Sequence, residues 1–195
     1  MELRAAPLWM TGVRPEGASD IEFARVLERA IAGDVSAFEH IVIRYERRVL
    51  TLAWRLLGNS EDAQDASQEV FFRAFRFLHR FDPARPFEPW LVRLTVNVCR
   101  DIGRKRPANT VLDPEVLPAS SDPHAELSAE EQRRTLHAIL HELPEKERAA
   151  VVLRDIEGFS TAEAAEILGS SETTVRSQIS TARLKIRKAL KRRRL

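Results

Sequence analysis

The sequence predicts an all-α protein made of two small helical domains that are joined by a proline-rich linker. First, apolar residues recur at steps of three and four between turn signals, and no segment alternates apolar and polar residues as a strand does. Second, the seven glycines and ten prolines of the 195 residues are clustered, so they separate helices rather than interrupt them. Third, residues 107–126 contain four of the prolines and exceed the usual length of a connection within one domain.

We therefore divide the chain into a flexible N-terminal segment (1–18), a first domain (19–106), a linker (107–126) and a second domain with a basic tail (127–195). The linker has four acidic residues and no Lys or Arg. In contrast, the stretch from Arg183 to Arg194 has eight basic residues and no acidic one. A basic tail favours a polyanionic partner, and taken alone it fits a solvated terminus equally well.

Four helices are predicted in the first domain, at about 20–31, from Asp34 onward, at 61–79 and from Pro89 to about 104. Ser60 is the expected N-cap of the third helix, and Gly58 the expected end of the second. Three prolines predict a stiff loop over 81–89. The fourth helix is expected to bury one stripe of apolar residues. Each of five aromatic residues is expected to lie in the core. The stripe comprises Trp90, Leu91, Leu94, Val98 and Ile102, and the aromatics are Phe71, Phe75, Phe81, Phe87 and Trp90.

The second domain is predicted to contain helices at about 129–142, 145–156, 161–168 and 172–190. Capping boxes begin at Ser128 and Ser160, and Gly169 is placed to end the third helix. The last two helices have the layout of a helix-turn-helix, whose second helix fits a DNA major groove. Val175, Ile179, Ala182 and Ile186 are expected to face inward. Hydroxyl and guanidinium groups suited to bases or phosphates are on Ser171, Thr173, Thr174, Arg176, Ser177, Ser180, Arg183 and Arg187.

Several classes of function are disfavoured by the composition. The single cysteine, Cys99, excludes an internal disulfide framework, and its place in an apolar helix predicts a small buried residue. His137 and His141 are one helical turn apart without a third ligand nearby, which favours packing or solvated histidines over a metal site. No nucleotide-binding loop or Ser/His/Asp signature occurs, so we expect no enzyme, cofactor or small-molecule substrate. No apolar run reaches the ~18 residues of a membrane span, and we expect a cytoplasmic protein without membrane insertion.

Two sets of sequence motifs in the chain resemble those of a known family. The first set comprises Gly33-Asp34, Ala37-Phe38, Tyr45, Leu57-Gly58-Asn59, DAQDASQEVFFRAF (62–75), Phe81, Phe87-x-x-Trp90-Leu91 and NVCRD (97–101). The second comprises LPEKERAAVVLRDIEGFSTAEAAEILG (143–169) and TTVRSQISTARLKIRKAL (173–190). In this order, residues 33–106 and 143–190 resemble domains 2 and 4 of bacterial extracytoplasmic-function (ECF) RNA polymerase sigma factors.

This resemblance implies an alternative sigma factor that binds core RNA polymerase and directs promoter recognition, strand opening and initiation. The 62–76 helix is similar to the one that docks on the polymerase clamp, which implies roles for Asp62, Asp65, Gln68, Glu69 and Phe72. The 81–90 loop and the polar face of the fourth helix are similar to the parts that open the minus-ten element and capture a base of the melted non-template strand. That site would comprise Arg85, Arg93, Asn97, Arg100, Asp101 and Arg104.

The 171–187 helix is similar to the reader of the double-stranded minus-thirty-five element, with Arg176, Ser177 and Arg183 as its leading contacts. Gln64 and Ala66 depart from the residue types that are usual on the docking helix of the family. Because ECF factors are often held by an anti-sigma factor, such a protein is a further candidate partner. Two alternatives stay open at this point: a helix-turn-helix regulator with an N-terminal sensing or dimerisation domain, and a protein-interaction module whose basic tail contacts no DNA.

Overall fold

The computed structural model describes residues 18–105 and 134–193, with side chains from residue 21 onward. Within these two ranges all regular structure is helical, which confirms the all-α prediction of two helical domains. The first domain contains α1 (Ala18–Ile31), α2 (Val35–Leu57), α3 (Ser60–Phe77), a short 3₁₀ turn (Leu78–Arg80) and α4 (Phe87–Lys105). The second contains α5 (134–141), α6 (Glu145–Val151), α7 (Thr161–Leu168) and α8 (Glu172–Arg193). The N-terminal segment, the 107–126 linker and the Ser128 cap lie outside the described residues.

Helix α2 is the centre of the first domain, where α1, α3 and α4 pack against it. Asp34 begins α2, because one of its carboxylate oxygens accepts a hydrogen bond from the Ala37 amide at 3.1 Å. Arg29 donates two hydrogen bonds to the other oxygen, at 2.9 and 2.6 Å, and so ties the end of α1 to the start of α2. Gly58 ends α2 as predicted, since its φ of 77° is a left-handed conformation that glycine adopts without strain.

The predicted starts of α3 and α4 were wrong by small amounts. Asn59 rather than Ser60 caps α3, and its side-chain oxygen accepts from the Asp62 amide at 2.9 Å. Helix α4 begins at Phe87, so Pro89 is its third residue and the loop is shorter than predicted. Proline is tolerated there because the first N–H groups of a helix have no partner within the helix.

Aromatic side chains fill the space between α1, α2 and α4. Phe81 and Phe87 are buried, as expected, and their ring centroids are 5.5 Å apart. Trp90 contacts both rings and is half-buried, while Tyr45 meets Phe87 at 5.5 Å. The core expectation was wrong for Phe75, which is 48% exposed.

In the second domain, α6 and α7 pack on α8. The predicted helix over 145–156 is α-helical only up to Val151, and a π-helical turn follows from Val152 to Ile156. The capping box at Ser160 is confirmed: its hydroxyl accepts from the Glu163 amide at 3.2 Å, and Glu163 accepts from the Ser160 amide at 2.8 Å. Gly169 ends α7 with a φ of 62°. On α8 the inward residues Val175, Ile179 and Ala182 are buried and Ile186 is half-buried.

The two domains contact each other, which the sequence did not predict. Helix α4 packs against α7, and α2 packs against α6. The buried side of α4 is accordingly wider than the predicted stripe. Val92, Val96 and Cys99 are buried, whereas Trp90, Leu94 and Ile102 are half-buried.

Candidate nucleic-acid and polymerase-binding surfaces

One face of α3 combines acidic, amide and aromatic side chains in solvent. Asp65, Gln68 and Phe72 are exposed at steps of three and four, so they lie on the same side of the helix. The Phe72 ring is 61% exposed, and Phe75 follows on the same side. The sequence analysis missed Phe75, although its spacing of three from Phe72 was a readable signal. An exposed aromatic pair beside a carboxylate is typical of a protein-binding surface.

Two predicted contact residues, Glu69 and Asp101, are paired with Arg73 of α3. Arg73 donates to Glu69 at 2.6 Å and to Asp101 at 3.0 Å, which links α3 to α4. These two carboxylates raise the pKa of Arg73, chiefly through their hydrogen bonds to it. Asp62 is half-buried in the first turn of α3. The exposed part of the predicted docking set is therefore Asp65, Gln68 and Phe72.

The polar face of α4 is the second surface. Arg93, Asn97 and Arg104 are exposed, and their spacing of four and seven places them on one side of the helix. Arg100 is half-buried beside this line, where its guanidinium is 3.3 Å from Glu145 of the second domain. Arg85, in the turn before α4, is 70% exposed and 3.5 Å from Glu166 of α7. The face presents one amide and several cations, which suits a nucleic-acid strand.

The outer side of α8 is the third surface. Thr173, Ser177, Ser180 and Arg187 are exposed there, and Ser171 caps the helix through the Thr174 amide at 3.2 Å. Thr181 is also exposed, one turn after Ser177, and was missed by the sequence analysis.

The two leading arginines of α8 differ in their partners. Arg176 makes a single contact of 2.7 Å with Glu172, one turn earlier on the same helix. Arg183 donates two hydrogen bonds, at 2.8 and 2.6 Å, to Asp155 in the π-helical turn. These contacts raise the pKa of Arg183, chiefly through the hydrogen bonds. Arg176 is consequently the freer of the two to meet a ligand.

Two further residues of candidate interest, His137 and Cys99, lie in the interior. His137 is buried and stacks on Trp54, so the packing interpretation holds for it. Cys99 is buried as predicted, and burial raises the pKa of its thiol to about 12. Over 18–105 and 134–193, no helix has the length and apolar character that crossing a membrane requires.

Comparison with known proteins matches both domains. Residues 41–107 match the family model Sigma-70 region 2, and residues 133–186 match Sigma-70, region 4. The chain is 32% identical to the RNA polymerase sigma-H factor of Pseudomonas aeruginosa, over 85% of this chain and 92% of that protein. It is 34% identical to the ECF RNA polymerase sigma factor SigW of Bacillus subtilis, over 82% of this chain and 91% of that protein.

Two solved structures are similar in three dimensions. The structure of CnrH in complex with the cytosolic domain of CnrY matches with a TM-score of 0.64 and 31% identity, and the match covers 86% of this chain and 96% of that one. The sigma factor RpoE in complex with the anti-sigma factor NepR from Bartonella quintana matches with a TM-score of 0.66. Its identity is 22%, over 79% of this chain and 96% of that one, so this likeness concerns the fold alone.

Proposed function

Because the chain belongs to the ECF family of RNA polymerase sigma factors, we propose that its three surfaces divide the work of promoter recognition. In this proposal α3 docks core polymerase, α4 with its preceding turn holds the opened minus-ten element, and α8 reads the minus-thirty-five element. The family favours this function over a helix-turn-helix regulator with a sensing domain. The observation that carries the assignment is that each surface lies on the sigma-70 region that matches it, with α3 and α4 in region 2 and α8 in region 4.

The assignment of α3 is supported by its exposed side chains. Phe72 and Phe75 expose about half of their surface or more, and Asp65 adds a negative charge beside them. Buried aromatic anchors dominate the affinity of protein interfaces, and a carboxylate favours a basic partner. Glu69 contributes indirectly in this proposal, because it holds Arg73, whose contact with Asp101 links α3 to α4.

The assignment of α4 is supported by the exposed row of Arg93, Asn97 and Arg104. Extruding a base costs a few kcal/mol per unstacked step, and a site that hydrogen-bonds the extruded base offsets that cost. Asn97 can both donate to and accept from a base edge, while the arginines on either side neutralise the backbone. No nucleotide hydrolysis is needed for such opening. Sigma factors are initiation factors without catalysis of their own, and we expect none here.

The assignment of α8 is supported by the position of its hydroxyl and guanidinium groups. The recognition helix of a helix-turn-helix contacts bases mainly through its N-terminal residues. Thr173, Thr174, Arg176 and Ser177 lie in that part of α8 and are exposed. Because the partners are polymerase and promoter DNA, we also propose that the chain works in the cytoplasm and that an anti-sigma factor binds it.

Transcription reconstituted from purified components tests the proposal. Core polymerase from the source organism is mixed with the chain and a library of promoter fragments, and the transcripts are sequenced. We expect the transcribed fragments to share two sequence motifs at a fixed spacing upstream of their start sites. These start sites should be absent with core polymerase alone.

The Asn97→Ala variant separates opening from docking in this assay. We expect it to bind core polymerase normally and to open promoters at least ten-fold less well, as detected with permanganate on unpaired thymines. Unselected start sites with the wild-type chain would refute the proposed function. Normal promoter opening by Asn97→Ala would show that Asn97 is not part of the minus-ten site.

A further inference from the structure

Four arginines and a threonine of α2 lie along one side of the helix. They follow each other at steps of three and four, which places them on a shared side: Arg44, Arg47, Arg48, Thr51 and Arg55. We call this set the arginine row. With a rise of about 1.5 Å per residue, the row is about 16 Å long. None of the three surfaces described above includes it.

The arginine row lines a cavity. The cavity has a volume of about 400 Å³, and its other lining residues are Tyr45 and Glu157. Arg44 and Arg47 are exposed, so the cavity is open to solvent. Small-molecule sites in proteins have volumes of about 300–1,000 Å³. The cavity therefore has the size of a site for a small ligand.

The charges around the cavity favour an anion. Among the described residues, four guanidinium groups line it against one carboxylate, that of Glu157. Glu157 contacts Arg55 at 2.5 Å and Arg48 at 3.3 Å, and Glu88, which does not line the cavity, contacts Arg48 at 2.7 Å. Arg47 contacts no carboxylate in the part of the chain that the structure describes. The row thus keeps an excess of positive charge toward the cavity.

Two guanidinium groups of the row are held in place by their neighbours. The central carbon of the Arg44 guanidinium is 4.6 Å from the centre of the Phe23 ring. Such stacking occupies the face of a guanidinium and not the edge that carries its N–H groups. Arg48 is held by Glu88 and Glu157. Cations that are already ordered lose less conformational entropy when a ligand binds, which favours affinity.

The chemistry of the row selects phosphate groups. Guanidinium groups form paired hydrogen bonds with phosphate oxygens. A chain of two or three phosphates can contact several members of a row of this length, whereas a single phosphate meets fewer. Thr51 donates a hydrogen bond to the Arg47 carbonyl at 2.6 Å, and its hydroxyl can rotate toward a phosphate oxygen instead. Tyr45 is only 8% exposed, so the cavity offers little aromatic surface for a nucleobase.

Glu157 limits the length of the anion. Its carboxylate faces Arg55 and Arg48, so it repels a phosphate chain that continues past them. A nucleic-acid backbone laid along the whole row would meet this repulsion, and a short phosphate chain near Arg44 and Arg47 would not. The cavity therefore favours a small molecule over a strand.

We propose that the arginine row binds a condensed phosphate, that is, the diphosphate or triphosphate group of a small molecule. Arg44, Arg47 and Arg48 hold the phosphates, and Thr51 adds a hydroxyl. This inference goes beyond the proposed function, because neither polymerase nor promoter takes part in the binding. A ligand that binds only the folded chain stabilises it, so the stability of the chain depends on the concentration of this ligand.

Isothermal titration calorimetry of the full chain with sodium triphosphate tests the proposal. The titration is run without divalent cations and at constant ionic strength, because salt screens exposed charges. We expect one site per chain, an affinity at least ten-fold higher than for orthophosphate or sulfate, and a higher melting temperature with triphosphate. A nucleoside triphosphate identifies the source of the phosphates. An affinity equal to that of triphosphate shows that the phosphates alone are recognised, and a higher affinity shows that a nucleotide is the ligand.

Arg47→Gln is the main variant, because Arg47 is exposed and its loss removes no core packing. We expect its dissociation constant for triphosphate to rise about ten-fold, as for the loss of a hydrogen bond between charged groups. Arg25→Gln on α1 and Arg187→Gln on α8 remove the same charge from exposed positions outside the cavity. These two controls should bind triphosphate as the wild type does.

Glu157→Gln tests the opposite direction. It removes the carboxylate that lines the cavity, so we expect triphosphate to bind several-fold more tightly. Damage to the structure would weaken binding instead, and helicity by circular dichroism confirms that the variant is folded. Weaker binding by a folded Glu157→Gln variant would contradict the proposed electrostatics of the site.

Three results would overturn the proposal. The first is triphosphate that binds no more tightly than sulfate. The second is an equal loss of affinity in Arg47→Gln and Arg187→Gln, which would assign the binding to net charge or to the basic tail. The third is binding of single-stranded DNA that Arg47→Gln abolishes, without any affinity for triphosphate. These measurements need no polymerase, so they stand whether or not the chain directs transcription.

Discussion

Arg176 and Arg183 have the same side chain on the same helix but different surroundings. The contact of Arg176 with Glu172 is a surface pair one turn apart, which is worth only a few tenths of a kcal/mol. The two hydrogen bonds from Arg183 to Asp155 form a fork, and Asp155 is only 25% exposed. We infer that Arg176 reads a base, whereas Arg183 braces α8 against the π-helical turn.

Alanine substitution distinguishes these two roles. Arg176→Ala is expected to cost about 1–3 kcal/mol of binding at one position of the minus-thirty-five element. Arg183→Ala is expected to weaken binding to every sequence by a similar factor. Binding of duplex variants, with each base pair substituted in turn, measures both. A position-specific loss for Arg183→Ala would reverse the assignment.

His137 makes the contact between the two domains sensitive to acid. Burial lowers the pKa of His137 below its usual 6.5, the nearby Arg148 charge acts in the same direction, and the hydrogen bond to the Trp54 carbonyl opposes them. The groups that face it are that carbonyl from α2, Arg148 from α6 and His141 from its own helix. A histidine that binds its proton more easily once the domains have separated stabilises the packed domains above pH 6.5. This stabilisation is lost as the pH falls through the lowered pKa.

X-ray scattering between pH 7.5 and 5.5 measures this effect. We expect the radius of gyration of the wild type to rise over this interval. His137→Phe keeps a ring against Trp54 but cannot bind a proton, and its radius should change less. A His137→Phe variant with the full pH response would assign it to another group, such as His141.

Single residues show where sequence patterns stop being informative. The exposure of Asp65, Asn97 and Arg176 could be predicted, because it follows from helix periodicity alone. The partners of Asp101 and Arg183 could not, since Arg73 and Asp155 reach them from other elements, each 28 residues away in sequence. Periodicity records which side of a helix is apolar, and it holds no information about which polar side chain of another helix lies opposite.

At the scale of elements, the capping box of α7 offers a stability test. Both of its hydrogen bonds are present, so Ser160→Ala should lower the free energy of unfolding by about 1 kcal/mol. Ser36→Ala makes the same change in the first turn of α2, where Asp34 is the cap, and should have little effect. Urea unfolding followed by circular dichroism compares them. Equal losses in the two variants would contradict the capping role.

The face of α3 offers a binding test. Phe72 is exposed, so Phe72→Ala removes little core packing and should leave the melting temperature nearly unchanged. We expect the affinity for core polymerase to fall about ten-fold, as for the loss of an anchor worth more than about 1 kcal/mol. Ile43→Ala, on the 70% exposed Ile43 of α2, is the matched control. Fluorescence anisotropy of the labelled chain measures the affinities, and equal losses in the two variants would refute docking through α3.

Element types were predictable from the sequence, while some boundaries were not. The helices, the Gly58 and Gly169 ends and the Ser160 cap follow from local chemistry that acts over three or four residues. Asn59 rather than Ser60 caps α3 because Asn59 has the extended backbone conformation of an N-cap, which the local sequence did not indicate. The π-helical turn at Val152 likewise has no signal in the hydrophobic pattern.

At the scale of the whole molecule, the division into two helical domains was predictable from the proline content of the linker. The contact between the domains was not. The sequence pattern assigns Val92, Val96 and Cys99 to the interior of the first domain as easily as to an interface. An apolar stripe shows that these residues are buried, but it does not show which element packs against them. The contact between Arg55 and Glu157 similarly joins residues that are 102 positions apart.

The Glu157 side chain of the second domain is 6% exposed and contacts Arg55 and Arg48 of α2, so its removal has an electrostatic consequence. When Glu157 leaves, Arg55 loses this carboxylate and Arg48 keeps only Glu88 as its partner, next to Arg44 and Arg47 on α2. A polyanion in the vicinity therefore lowers the free energy of separating the domains, and added salt weakens this assistance. The two-domain chain should thus be easiest to pull apart where it is used, along the charged backbone of DNA at low ionic strength.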